Sequence, residues 1–66
     1  MKIFYEANGY DARIIVFPTS DVRLTVSKKT GEYVLGKDYV SMKGAEKAMN
    51  AICTDWKEYA RFGGEE

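Results

Sequence analysis

Hydrophobic and polar residues alternate in four short runs over the first half of the chain, and then the spacing changes. Lys2 to Ala7 sets Ile3 and Tyr5 against Phe4 and Glu6. Tyr10 to Phe17 continues after Asn8-Gly9, Val22 to Ser27 sets Val22, Leu24 and Val26 against Arg23, Thr25 and Ser27, and Glu32 to Leu35 gives a shorter fourth run. A period of two marks strands with one buried face. From Ser41 to Phe62 the apolar positions recur at helical spacing. Ala45, Ala48, Met49, Ile52, Cys53, Trp56, Tyr59 and Ala60 share one arc, with Trp56 near its middle. Lys43, Glu46, Lys47, Asn50, Thr54, Lys57, Glu58 and Arg61 fill the other. The pattern predicts ββββα order: strands over 2–7, 10–17, 22–27 and 32–35, and one long C-terminal helix over about 42–62, stopped at Gly63-Gly64.

The connections agree with this reading. Asn8-Gly9 predicts a two-residue type I′ hairpin turn. Pro18-Thr19-Ser20-Asp21 reverses the chain again, Lys28 to Gly31 forms a four-residue loop, and Gly36 to Val40 leads over to the helix. These turns predict the pairs Ala7 with Tyr10, Tyr5 with Ala12 and Ile3 with Ile14, then Val26 with Tyr33 and Leu24 with Leu35. Both hairpins then present one apolar face to the helix arc. The expected fold is α+β, a single domain over 1–66 with a four-stranded antiparallel sheet covered on one face by the helix. Ser41 is the expected N-cap, and Gly44 weakens the first turn. The opposite sheet face carries Lys2, Phe4, Glu6, Asp11, Arg13, Ile15, Phe17, Arg23, Thr25, Ser27, Glu32 and Val34. No element of this scheme is left to cover it.

Composition narrows the chemistry. Ten Lys plus Arg balance ten Asp plus Glu, there is no histidine, and there is one cysteine. An internal disulfide is impossible, and a structural zinc site lacks its ligands. Acid–base catalysis would fall to carboxylates, lysine or tyrosine tuned by burial, which a 66-residue chain with its thin core scarcely provides. Cys53 falls on the apolar arc, away from any helix N-terminus that would activate it. The carboxylates show no metal-ligand spacing. The expectation is therefore no enzyme, no cofactor, no metal and no small-molecule substrate. Met-Lys-Ile-Phe-Tyr-Glu opens the chain without an apolar run of signal or membrane length, so a soluble cytoplasmic product with no membrane partner is expected.

What remains is surface. Most of the aromatic residues fall on inward faces, leaving Phe4, Phe17, Tyr39 and Phe62. A helix of about 21 residues is roughly 30 Å long, against about 23 Å for a seven-residue strand, so its end, carrying Tyr59 or Phe62, is expected to overhang the sheet. The first expectation is a protein-binding module or a self-associating one, with Phe4, Arg13, Ile15, Phe17, Arg23, Val34 and Phe62 at the interface. In size and character the chain resembles the small inhibitors that phages and mobile elements aim at host machinery, anti-CRISPR proteins included. The second expectation is a nucleic-acid-binding domain using Arg13, Arg23 and the basic hairpin turn at Lys28 and Lys29. Lys37, Lys43 and Lys47 would be further anion contacts near the helix N-terminus. Its sheet carries neither the signatures nor the βαββαβ order of ribonucleoprotein domains.

Overall fold

The structure is a computed structural model and describes residues 1–63. Its elements are β1 (Lys2–Ala7), β2 (Tyr10–Val16), β3 (Val22–Lys28), β4 (Tyr33–Tyr39), α1 (Met42–Ile52) and β5 (Lys57–Phe62). The fold is α+β, an antiparallel sheet with one helix, but the sheet has five strands in the order β4-β3-β2-β1-β5. The expected four-stranded sheet with a long C-terminal helix is therefore corrected.

The first hairpin pairs as the alternation predicts: Ala7 with Tyr10, Tyr5 with Ala12 and Ile3 with Ile14. Its turn differs in type. Gly9 lies at φ 89 whereas Asn8 has a negative φ, so the turn is not type I′ and has the φ pattern of type II. The β3–β4 hairpin slips by two residues from expectation. A bulge between Val26 and Ser27 places Val26 opposite Leu35 and Leu24 opposite Lys37. The fourth strand thereby runs on to Tyr39, through Gly36-Lys37-Asp38, which had read as a connection. Tyr33 is carried out of the core and lies over Gly36, where a Cβ would collide with the Tyr33 hydroxyl.

The larger correction concerns the helix. It starts as expected, with Ser41 as N-cap accepting from the Gly44 amide at 3.2 Å, but ends at Ile52 with Cys53 already extended. Thr54 and Asp55 are poor helix formers, and the eleven residues of α1 span about 16 Å, which fits on strands of about 23 Å without overhang. Residues 57–62 instead form a six-residue strand along β1. A helical continuation would have left the outer edge of β1 without ladder partners, and β5 supplies them.

Trp56 sits in the connection between α1 and β5. Its indole Nε1 donates to the Met49 carbonyl at 2.9 Å, which also accepts from the Cys53 amide at 3.1 Å, and its ring lies beside Tyr10 at 6.3 Å. The helix packs on β2, β3 and β4. Beneath it, Ile3, Ala12, Ile14, Val22, Leu24 and Val26 of the sheet enclose Ala45 and Met49, with Tyr5, Tyr10, Leu35, Tyr39, Ile52 and Trp56 around the edge.

Two consequences are measurable. Trp56→Ala removes a half-buried ring and is expected to cost about 3 kcal/mol, a large share of the stability of so small a domain, whereas Trp56→Phe keeps the packing and loses about 1 kcal/mol with the hydrogen bond. Chemical denaturation monitored by far-UV circular dichroism reads both; a Trp56→Phe midpoint equal to that of wild type would contradict the bond to Met49, and equal midpoints for the two variants would contradict the packing of the ring. Gly9→Val forces a β-branched residue to positive φ at about 1 to 3 kcal/mol. Gly63→Val, with open space around its Cβ, is the matched control, because Gly64 lies outside the described residues. Thermal melting should separate the two, and coincident melting temperatures would show that the turn tolerates a side chain at Gly9.

Candidate functional site

The ladder sorts the face away from the helix into three rows. One runs Asp38, Arg23, Ile15, Lys2, Phe62; the next Gly36, Thr25, Arg13, Phe4, Ala60; the third Tyr33, Ser27, Asp11, Glu6, Lys57. A bulge opposite Phe4 and Tyr5 gives β5 an extra residue, Tyr59, between the partners of these two. Its ring joins the same face: Phe4 lies 6.1 Å from Tyr59 and 5.6 Å, edge-on, from Phe62. Three aromatic rings thus form a cluster along β1 and β5. Tyr59 and Phe62 remain 56% and 57% exposed while Phe4 is half-buried beneath them.

The interface residues expected from sequence fall into different places. Phe4, Arg13 and Phe62 come together. Ile15 is only 5% exposed, flanked in its row by Lys2 and Arg23, whose long stems shield apolar neighbours, so it packs rather than presents a surface. Phe17 is half-buried with the Arg23 guanidinium 5.3 Å from its ring centroid, at the end of β2. Val34 is exposed on β4, at the opposite edge of the sheet from Phe62. The view that nothing in the chain covers the face is corrected, since β5 lays Tyr59 and Phe62 against Phe4. Helical spacing puts Lys57 on the wet face of the helix and Tyr59 at its overhanging end, whereas the strand over 57–62 brings both to this sheet face. The signal that points to them is the pair of aromatics in Tyr59-Ala60-Arg61-Phe62 following the helix-breaking Thr54-Asp55.

Charge is arranged unevenly around the cluster. Lys29 reaches over from the β3–β4 turn to Glu6 at 3.0 Å and Asp11 at 3.1 Å, and these two carboxylates raise its pKa. Arg23 bonds Asp38 at 2.9 Å, which lowers the Asp38 pKa. On the helix side of β5, Arg61 holds Glu58 at 2.7 Å, and the Tyr5 hydroxyl is raised by burial first and then by Glu58 and Glu46. Arg13, by contrast, makes no ion pair among the described residues. It lines a shallow cleft of about 230 Å³ with Phe4, Tyr59, Thr25, Ser27 and Asp11.

The five lysines considered as anion contacts do not converge. Lys28 pairs with Glu32 at 3.7 Å, Lys29 is engaged by its two acids, and Lys37 lies over the Tyr39 ring at 5.6 Å on the helix side of the edge strand. Lys43 and Lys47 are exposed on α1. A larger open cleft of about 570 Å³ lies between the first turn and the α1–β5 connection, lined by Glu6, Ala7, Asn8, Asp55, Trp56 and Lys57. Its charged groups are of mixed sign and do not converge on a point. Cys53 is half-buried, its sulfur accepting from the Asp55 amide at 3.5 Å. Among the described residues no three metal-ligating side chains gather, and no helix is long and apolar enough to cross a membrane. Comparison with protein-family models, with curated proteins and with solved structures gives no match.

The Arg23–Asp38 pair predicts a small acid effect. Asp38 is held below its ordinary value of about 3.9, so its contribution is present above that pH and disappears as pH falls through the lower, folded value. Wild type should therefore melt slightly above Asp38→Asn near neutrality, with the two curves converging as pH falls through the lowered, folded value. The pair is solvent-exposed, so the gap is small. A gap that widens on acidification would contradict the assignment.

Proposed function

We propose that the chain is a non-enzymatic protein-binding module whose contact surface is the outer face of the sheet, centred on Phe4, Tyr59 and Phe62 with Arg13 beside them. One observation carries the reading: three aromatic rings cluster on the face that the helix leaves open, and two of them are more than half exposed. Contiguous apolar surface of this kind, rimmed by charge, marks protein contacts, and aromatic and arginine side chains are the residues that most often dominate their energetics. The inhibitory role suggested by the chain's size and character is a narrower form of the same proposal. A nucleic-acid reading draws on the same rings beside Arg13, since bases stack on exposed aromatics of a sheet. It is weakened by the engagement of Lys29 and Arg23 with carboxylates of the same face.

The test is the double variant Tyr59→Ser, Phe62→Ser. Both side chains are largely exposed on an edge strand, so the dispersed NMR spectrum should be retained. Affinity capture from the native host should retain a protein with wild type and lose it by about tenfold or more with the variant, whether or not nuclease is present. Undiminished capture by a folded variant places the contact elsewhere. Capture abolished by nuclease, with a steep salt dependence, supports the nucleic-acid reading instead.

A further inference from the structure

We infer that the partner segment seated on this face is acidic and apolar, and that it places a carboxylate against Arg13 in the cleft between Phe4 and Tyr59. This rests on the protein-binding reading and specifies the chemistry of what is bound. The first support is the accounting of charge on the face. Lys2, Arg13, Arg23, Lys29 and Lys57 belong to it, against Glu6, Asp11 and Asp38. All three carboxylates already hold a cation, with Lys29 shared between Glu6 and Asp11 and Arg23 on Asp38. The face therefore carries five cations against three carboxylates, whereas the other described residues balance, five against five.

The second support is an unmatched charge beside the aromatic cluster. Arg13 has no ion-pair partner among the described residues, and it sits in the middle row with Phe4 on one side and Thr25 on the other. Its cleft combines two aromatic walls with the hydroxyl-bearing Thr25 and Ser27. A guanidinium presents a planar fork of donors that matches a carboxylate in bidentate fashion, and hydroxyls add donors for the remaining lone pairs. Rings that exclude water on association strengthen that pair. Asp11 also borders the cleft, but Lys29 offsets its charge.

The geometry also favours a peptide carboxylate over a polynucleotide. A phosphate backbone is followed by a track of cations, whereas Arg13 stands between the Phe4 ring and Thr25, and Arg23 and Lys29 on the same face already hold acids. The occupant that fits is a segment with an Asp or Glu aimed at Arg13 and aromatic or aliphatic residues beside it to cover Tyr59 and Phe62.

Isotope-labelled full chain is titrated with four probes: a short peptide alternating Glu with Phe, its Gln and Lys counterparts, and oligothymidylate of matched length. The readouts are the Arg13 Nε–Hε signal and the Phe4 and Tyr59 amides. The Glu peptide should shift these saturably and bind about tenfold more tightly than either counterpart, and Arg13→Glu, folded by its spectrum, should reverse the order in favour of the Lys peptide. Equal binding of the Gln or Lys peptide at this face overturns the acidic partner and leaves the protein-binding reading standing. Binding of oligothymidylate alone, with a steep salt slope, overturns both. Absence of any shift at Arg13, Phe4 and Tyr59 with all four probes overturns the acidic-partner inference.

Discussion

The backbone N–H and C=O groups along the outer edge of β1 must find partners or water, and the chain satisfies them with its own last strand. Two further features depend on that pairing. Because β5 takes residues 57–62, α1 ends at Ile52 and is short enough to lie within the sheet. Because β5 carries a bulge at Tyr59, both Tyr59 and Phe62 turn to the face opposite the helix and pack on Phe4. The same bulge leaves Glu58 and Arg61 on the helix side, joined to each other beyond the reach of α1. Charges at that edge, like Lys37 on the helix-side row of β4, are devices that discourage further strand addition.

The hairpins of the first half were legible from sequence because turn chemistry and alternation agree there. Gly9 terminates one apolar run and begins the next, and the β1–β2 register follows from it residue by residue. β4 was legible only in part. Glycine beside Lys37 and Asp38 resembles a loop, yet an edge strand with one row open to solvent tolerates charged residues, and a bulge beside Val26 moved the register by two. The C-terminal third was misread for a specific reason. In a bulged strand two neighbouring residues face the same way, so the outward positions become Lys57, Tyr59, Ala60 and Phe62. Preceded by Ile52, Cys53 and Trp56, that spacing is hard to tell from the three-and-four spacing of a helix. Length was the contrary signal, since a helix of about 21 residues does not fit a sheet of these strands without overhang.

The candidate site was legible to the extent that it rests on β1 and β2. Phe4 and Arg13 share a row because Asn8-Gly9 sets the register, and that was open to sequence reasoning. Phe62 was named for a different reason, as the overhanging end of a helix, and reaches the face by way of a strand. Ile15 and Phe17 follow the outward alternation of β2 but are shielded by long cationic neighbours, an effect that periodicity does not encode. The pairing of Lys29 with Glu6 and Asp11 depends on a turn folding back over the sheet, which spacing along the chain does not reveal. These pairings leave Arg13 without an ion pair among the described residues, beside the aromatic cluster.

The account stands or falls on the conformation of residues 53–62, and nuclear Overhauser spectroscopy of the full chain tests it directly. It requires backbone contacts across the β1–β5 ladder, from Phe4 to Ala60 and from Lys2 to Phe62, together with ring contacts from Phe4 to Tyr59. Sequential helical contacts from Cys53 to Trp56 and from Trp56 to Tyr59, with no cross-strand contacts to β1, would contradict it and remove the aromatic cluster from the open face.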